Sequence, residues 1–155
     1  MRKVVLWLMV LSFASFFAGH LYELIVVVPN WKSGAIADVT KYNQFFSLAS
    51  PADYYNLTVG SSFIFSIVGL ASILKCGKIA IIFASTAILV VVIYAVYTYA
   101  VFLPTNFYIG AGNYDPAVLE PLVARWVFHE PIRFALIGVG LLASILTMEN
   151  SDGSV

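Results

Sequence analysis

Four long apolar stretches limit what this chain can fold into more than any other feature. They cover about residues 4–28, 54–74, 79–103 and 127–148. At about 1.5 Å per helical residue, each is long enough to cross a hydrocarbon core of about 30 Å. Hydrophobic residues make up 61% of the chain and charged residues 10%, which is more apolar than soluble domains are. The sequence therefore predicts an all-α four-helix transmembrane bundle, forming a single membrane domain over residues 1–155.

The first stretch follows two basic residues, so a cleaved signal peptide is an alternative. The tripeptide Ser12-Phe13-Ala14 resembles a cleavage site of small residues. The apolar run continues well past that point, and we therefore expect a retained helix. Pro29 and Asn30 are expected to end it.

The first sizeable loop contains a periodic pattern. Apolar or aromatic residues recur every three or four positions, at Ile36, Val39, Tyr42 and Phe46, with polar residues between them. This spacing predicts a short amphipathic helix at the membrane interface, in the first non-cytoplasmic loop. Ser50-Pro51 is expected to end it.

Basic residues indicate the orientation. Four spans place both termini on one side, which then carries Arg2, Lys3, Lys75 and Lys78. Lys32 and Lys41 fall on the other side. The positive-inside rule therefore predicts cytoplasmic termini, and a bacterial inner membrane is the expected location.

The approach to the fourth span contains several residues that break or start helices. Residues 104–114 include glycine and asparagine and are expected to form a loop. Asp115 followed by Pro116 is typical of a helix start. Pro121 is expected to restart or kink that helix, and Pro131 to kink the fourth span.

Polar side chains interrupt the first and fourth apolar stretches. On a helix Arg125, His129 and Arg133 form one stripe, with Trp126 and Glu130 beside it. In the first span His20 and Glu23 are one turn apart. The predicted topology places both sets at the same depth.

Charged groups inside a membrane are costly unless they are paired. We therefore predict that Glu23 pairs with Arg125 or Arg133. One interpretation is an ion pair that only stabilises the bundle. The other is a polar cavity, open to the non-cytoplasmic side, that also includes Asn106.

Metal and nucleotide cofactors are not expected. The single cysteine, Cys76, excludes an intrachain disulfide. Two histidines with nearby carboxylates could supply metal ligands, but di-iron bundles repeat Glu-x-x-His on two helices. Here the order is His20-x-x-Glu23, once, and His129 adjoins Glu130. Without clustered lysine and arginine, no nucleic-acid partner is expected.

Four sets of residues resemble, in order, the DUF1772 family, which comprises bacterial four-span proteins related to fungal anthrone oxygenases. The sets are Phe17-Ala18-Gly19 with Pro29, Tyr42-Asn43 with Pro51, Leu103-Pro104-Thr105-Asn106 with Asp115, and Trp126 with Arg133. Together they span nearly the whole chain.

The resemblance implies an oxygenase that needs neither metal nor flavin. Its substrate would be a planar, hydrophobic aromatic ketone with an acidic C–H, whose carbanion reacts with dioxygen directly. A base and an oxyanion donor are then required. The residues implied as catalytic are His20, His129 and Arg133. Those implied as substrate-binding are Glu23, Asn106, Arg125 and Trp126.

A rival hypothesis is a non-enzymatic membrane subunit or assembly factor. It would pack against other membrane proteins, or a second copy of itself, through helix faces rich in glycine and serine. A small transporter is the least favoured alternative, because no pair of discontinuous helices is visible. A cavity lined by both His20 and Arg133 favours the oxygenase, and polar residues packed dry against one another favour the subunit.

Overall fold

The structure is a computed structural model that describes residues 1–32, 36–46, 48–112 and 114–152. Every regular element in these ranges is helical, which confirms the predicted all-α class. The α-helices are α1 (Arg2–Tyr22), α2 (Val28–Lys32), α3 (Ile36–Phe45), α4 (Pro51–Ser72), α5 (Lys78–Val101), α6 (Leu103–Gly110) and α7 (Pro116–Glu149). A π-helical segment, Glu23–Val27, joins α1 to α2, and a 3-10 turn, Asn150–Asp152, follows α7.

Four helical segments are long and apolar enough to cross a membrane, as predicted. They are Arg2–Trp31, Pro51–Ser72, Lys78–Val101 and Pro116–Glu149. The chain is therefore a multi-pass membrane protein. The first and third segments end, and the second and fourth begin, at the same end of the bundle. We refer to this end as the α3 end, because the amphipathic helix α3 lies there with Val39 buried and Lys41 exposed.

The first span does not stop at Pro29, as the sequence predicted. Helical structure continues to Lys32, because the chain widens into the π-helical segment immediately before the proline. There the Val28 N–H donates to the carbonyl of Glu23, five residues earlier. Single π-helical turns of this kind occur frequently at functional sites.

The expected loop after the third span is instead mostly helical. The helix α6 begins at Leu103, with Pro104 in the first turn, where the missing N–H of proline costs nothing. The helix α7 then runs without a break through Pro121 and Pro131. Each proline removes one backbone hydrogen bond, and the buried residues around them, Val123 and Trp126 among them, hold the helix in place.

Two apolar clusters fill the bundle. One is built around Phe13 and Phe16, in the part of the bundle away from the α3 end. The other lies at the α3 end and contains Trp31, Phe102 and Trp126. A group of buried charged side chains contacts both clusters, because Phe16 packs on one of its members and Phe102 on another.

Close helix packing away from the α3 end depends on small residues. A Cβ atom added at Gly140 would collide with the ring of Phe13, and one at Gly69 would lie 3.1 Å from the sulfur of Met9. By contrast, a Cβ atom at Gly60 would meet nothing within 4 Å. The approach of α7 to α1 therefore depends on Gly140.

Candidate functional site

Four buried ionisable side chains from two helical segments meet inside the bundle. His20 and Glu23 come from the end of α1 and the start of the π-helical segment, and Glu130 and Arg133 come from α7. Their exposed fractions are 0%, 5%, 0% and 3%. Each pair is separated by three residues, so both members of a pair face the same side of their helix. We name these four residues the charged cluster.

Arg133 lies between the two carboxylates. Its Nε donates to Glu130 Oε2 at 2.8 Å, and its Nη2 donates to Glu23 Oε2 at 2.7 Å and also to Glu130. Of the two partners predicted for Glu23, the structure therefore selects Arg133. Arg125 is exposed and donates to the Ala100 carbonyl at 3.5 Å instead.

His20 completes the charged cluster from the other side. Its Nδ1 lies 2.8 Å from Glu130 Oε1 and 3.3 Å from Glu23 Oε2. Since a carboxylate only accepts hydrogen bonds, Nδ1 carries a proton and donates. Nε2 lies 3.0 Å from the Tyr94 hydroxyl, and the Tyr55 ring stacks on the imidazole at a centroid distance of 4.8 Å.

Aromatic rings surround the Arg133 guanidinium. Its Cζ atom lies 3.7 Å from the centroid of Phe102, 5.4 Å from that of Trp126 and 5.9 Å from that of Tyr94. Rings at these distances attract a cation through their negative faces. They also fix the plane of the guanidinium. The orientation of Arg133 is therefore set both by its carboxylate partners and by the packing of these rings.

A cavity of about 260 Å³ adjoins the charged cluster at the α3 end, and we name it the polar cavity. Its lining includes Glu23, Arg133, Trp126, Trp31, Tyr42, Tyr55, Asn43 and Asn106. The Nε and Nη2 atoms of Arg133 are committed to carboxylates. Its Nη1 makes no hydrogen bond with any residue that the structure describes, so this group is the donor that remains for a molecule in the cavity.

The structure brings four of the seven predicted site residues to the polar cavity: Glu23, Asn106, Trp126 and Arg133. His20 is fully buried behind Glu23 and does not line the cavity. His129 lies apart, with its Nδ1 2.6 Å from the Tyr97 hydroxyl, and Arg125 is also elsewhere. The two histidines thus have separate hydrogen-bond partners.

Several members of this arrangement were not predicted from the sequence. Glu130 was placed beside the arginine stripe but was not predicted as a site residue, although its three-residue spacing from Arg133 is a visible signal. Tyr55 and Phe102 carry no such signal. They are aromatic residues among many, and only the tertiary packing distinguishes them.

Tyr42 lies outside the membrane-spanning segments and contributes a hydroxyl to the polar cavity wall. Burial, followed by the nearby Glu23 carboxylate, raises the pKa of Tyr42 well above its usual value. The phenol therefore keeps its proton at neutral pH. It can donate a hydrogen bond to a ligand oxygen.

The charged cluster also contains three groups that are common metal ligands. Donor atoms of His20, Glu23 and Glu130 all lie within 4.8 Å of one another. One nitrogen and two carboxylates would suit a transition metal. However, Arg133 donates to both carboxylates, so a metal cation would meet a like charge at the same oxygens. The arrangement is that of an ion-pair cluster.

Comparison with known proteins gives no family assignment. No family model matches the chain, and no curated protein or solved structure matches it.

Proposed function

We propose that this protein binds a planar, oxygen-bearing hydrophobic molecule in the polar cavity and oxygenates it without a metal or flavin. The observation that carries the proposal is the position of Glu23 and Arg133. Both are buried, lie 2.7 Å apart and line one cavity, whose other lining residues include four aromatic side chains. A carboxylate and a directed cation in one cavity are the groups that enolate chemistry requires.

The ligand would be held by hydrogen bonds to its oxygen and by stacking on the faces of its rings. A ketone oxygen would accept from Arg133 Nη1, and the Tyr42 hydroxyl offers a second donor on the same cavity wall. Trp126 and Tyr55 provide rings against which a planar molecule can stack. The 260 Å³ volume is slightly below the usual range of small-molecule sites, so it suits a compact ligand of few rings.

The chemistry begins with removal of an acidic C–H proton by the Glu23 carboxylate. The resulting carbanion is delocalised onto the ketone oxygen, whose charge Arg133 stabilises. The carbanion transfers electrons to dioxygen, a C–O bond forms, and protonation gives a hydroperoxide. Loss of water then leaves a new carbonyl, so that a methylene and dioxygen become a ketone and water.

His20 and Glu130 would act as positioning residues. Neither lines the polar cavity, yet both hold the groups that do. Glu130 fixes Arg133 through Nε, and His20 Nδ1 faces the carboxylates of Glu23 and Glu130. This differs from the roles implied by the resemblance, which gave the base to a histidine, because His20 is 0% exposed.

The resemblance to DUF1772 proteins supports the oxygenase reaction. The arrangement of basic residues supports an orientation with both termini in the cytoplasm, so that the polar cavity would open toward the non-cytoplasmic side; a bacterial inner membrane is the proposed location. A hydrophobic substrate would then enter from the outer leaflet.

Dioxygen uptake with anthrone as the probe tests the proposal. Purified protein should consume one dioxygen per anthrone oxidised, faster than buffer with denatured protein. Arg133→Lys should lower kcat because lysine lacks the planar fork that reaches carboxylate and ligand together. Arg125→Lys is the matched control and should leave kcat unchanged. Equal rates for wild type and Arg133→Lys would contradict the proposed role.

A non-enzymatic membrane subunit is the second candidate, and two observations favour it. One is that His20 does not line the polar cavity with Arg133. The other is that the members of the charged cluster largely satisfy one another through hydrogen bonds inside the bundle, as a purely structural network would. In that case anthrone would bind neither wild type nor Arg133→Lys. Affinity isolation from membranes would recover a stoichiometric protein partner.

A further inference from the structure

An apolar groove lies between the end of the first span, α3 and the first half of α7. Its volume is about 620 Å³, within the range of binding sites for small molecules. The lining side chains are apolar, with two exceptions: the carboxylate of Glu120 and the indole N–H of Trp31. We name this cavity the lipid groove, for the reasons that follow.

Trp31 contributes a buried hydrogen-bond donor that is not satisfied. Its side chain is 6% exposed, and its Nε1 has no hydrogen-bond partner in the described part of the chain. Buried polar groups are nearly always paired. Trp31 lines this groove as well as the polar cavity, and a ligand that supplies an oxygen would satisfy the donor.

The shape and depth of the groove fit an aliphatic chain. Along α7 it extends from Leu119 to Pro131, about 18 Å at about 1.5 Å per residue. It begins near Trp31, the last residue of the first span, at the depth where tryptophan meets the interface. The inner wall is formed by the buried Leu119 and Val123, and the exposed Phe128 forms part of the rim.

Glu120 gives the groove a charge preference. It is the only charged side chain in the described lining, it is exposed, and it lies on α7 one turn before Val123 and Ala124. A negative group at the membrane surface attracts the ammonium group of a zwitterionic head group and repels a head group with a net negative charge.

We propose that the lipid groove binds one phospholipid with a primary-amine head group. One acyl chain lies along Val123 and Val127, an ester carbonyl accepts a hydrogen bond from Trp31 Nε1, and the ammonium group faces Glu120. Trp31 also lines the polar cavity and packs on Trp126 at a centroid distance of 4.7 Å. The bound lipid and the polar cavity therefore share a wall, but lipid binding does not depend on any reaction there.

Lipid retention tests the proposal. The full-length protein is incorporated into vesicles of equimolar phosphatidylethanolamine and phosphatidylglycerol, re-extracted in mild detergent and weighed by native mass spectrometry. One retained phosphatidylethanolamine per chain is expected, in preference to phosphatidylglycerol. Glu120→Gln should abolish that preference, whereas Glu149→Gln, an exposed carboxylate at the other end of α7, should keep it. Equal retention of both lipids by wild type would overturn the assignment.

Two further pairs of variants test the site itself. Trp31→Phe keeps a ring but loses the N–H, and should weaken retention about 2- to 10-fold. Trp7→Phe, at an exposed tryptophan of the same span, is its control. Ala124→Trp should fill the groove and remove the lipid, while Val139→Trp on the exposed part of α7 should not. Loss of lipid in both members of a pair, or in neither, would overturn the proposed site.

Discussion

The carboxylate of Glu23 accepts a hydrogen bond of 2.7 Å from Nη2 of Arg133, which joins the end of α1 to α7 inside the bundle. Both groups are nearly excluded from solvent, with exposed fractions of 5% and 3%. Removing Glu23 would leave Arg133 with Glu130 as its remaining carboxylate partner in a medium of low polarity, whereas removing Arg133 would leave both carboxylates without their cation. The stability of the bundle should therefore depend strongly on this pair.

Glu23→Gln is expected to lower the free energy of unfolding in detergent by about 1.5–3 kcal/mol, because a charged hydrogen bond is lost while Arg133 keeps Glu130 as a partner. Thermal unfolding followed by circular dichroism measures the change. Glu149→Gln removes an exposed carboxylate from α7 and should leave the melting temperature nearly unchanged. Equal melting curves for Glu23→Gln and wild type would show that the pair does not stabilise the fold.

The two histidines are expected to differ in their effect on stability. His20→Phe removes one donor from the Glu130 carboxylate, which still accepts from Arg133, and removes the His20 partner of the buried Tyr94 hydroxyl; an unpaired buried group costs about 1–3 kcal/mol. His129→Phe loses one hydrogen bond, to the partly exposed Tyr97, and should cost about 1 kcal/mol or less. Thermal unfolding of both variants under the same conditions measures the two losses of stability. A larger loss for His129→Phe would contradict the network.

A pair of glycine variants tests helix packing. Gly140→Ala adds a methyl group that collides with the Phe13 ring, and should destabilise the bundle by about 1–3 kcal/mol. Gly60→Ala adds the same group where nothing lies within 4 Å, and alanine favours a helix over glycine by about 1 kcal/mol. The melting temperature should thus fall for the first variant and hold or rise for the second.

Labelling of introduced cysteines tests the topology. Lys41 and Lys75 are both exposed, one on α3 and one in the turn after α4. In a Cys76→Ser background, Lys41→Cys should react with a membrane-impermeant maleimide added outside intact cells. Lys75→Cys should react only after the cells are opened. Reaction of both cysteines in intact cells would exclude a bundle in which α3 and that turn lie on opposite sides.

Much of the fold was predictable because a membrane imposes simple requirements. Length and apolar composition alone identified four spans, and three-to-four-residue spacing identified α3. The exceptions are local. Pro29 was expected to end the first helix, but one lost hydrogen bond is outweighed there and helical structure continues to Lys32. Pro121 and Pro131 lie inside the unbroken α7, and the kinks expected at them stay predictions.

The site was less predictable than the fold, because several of its residues belong to types that occur many times in the chain. Charge in an apolar stretch is rare, so Glu23 and Arg133 stood out in the sequence. Aromatic residues make up 15% of the chain, so nothing distinguished Phe102 or Tyr55. The choice between Arg125 and Arg133 as the partner of Glu23 required the relative rotation of two helices, which no periodic pattern specifies.

The π-helical segment Glu23–Val27 has a consequence for how the first span could change by mutation. A π-helical turn contains one residue more than the corresponding α-helical turn. Deleting one residue within it, such as Leu24 or Ile25, would give a regular α-helix while leaving His20 in place. Because the wider turn accommodates the extra residue, the helix on either side would keep its register, and Trp31 would stay in the wall that the two cavities share. Only the side chains inside the segment would change direction, which makes this short segment the position where a single lost codon could alter the polar cavity without moving the rest of the span.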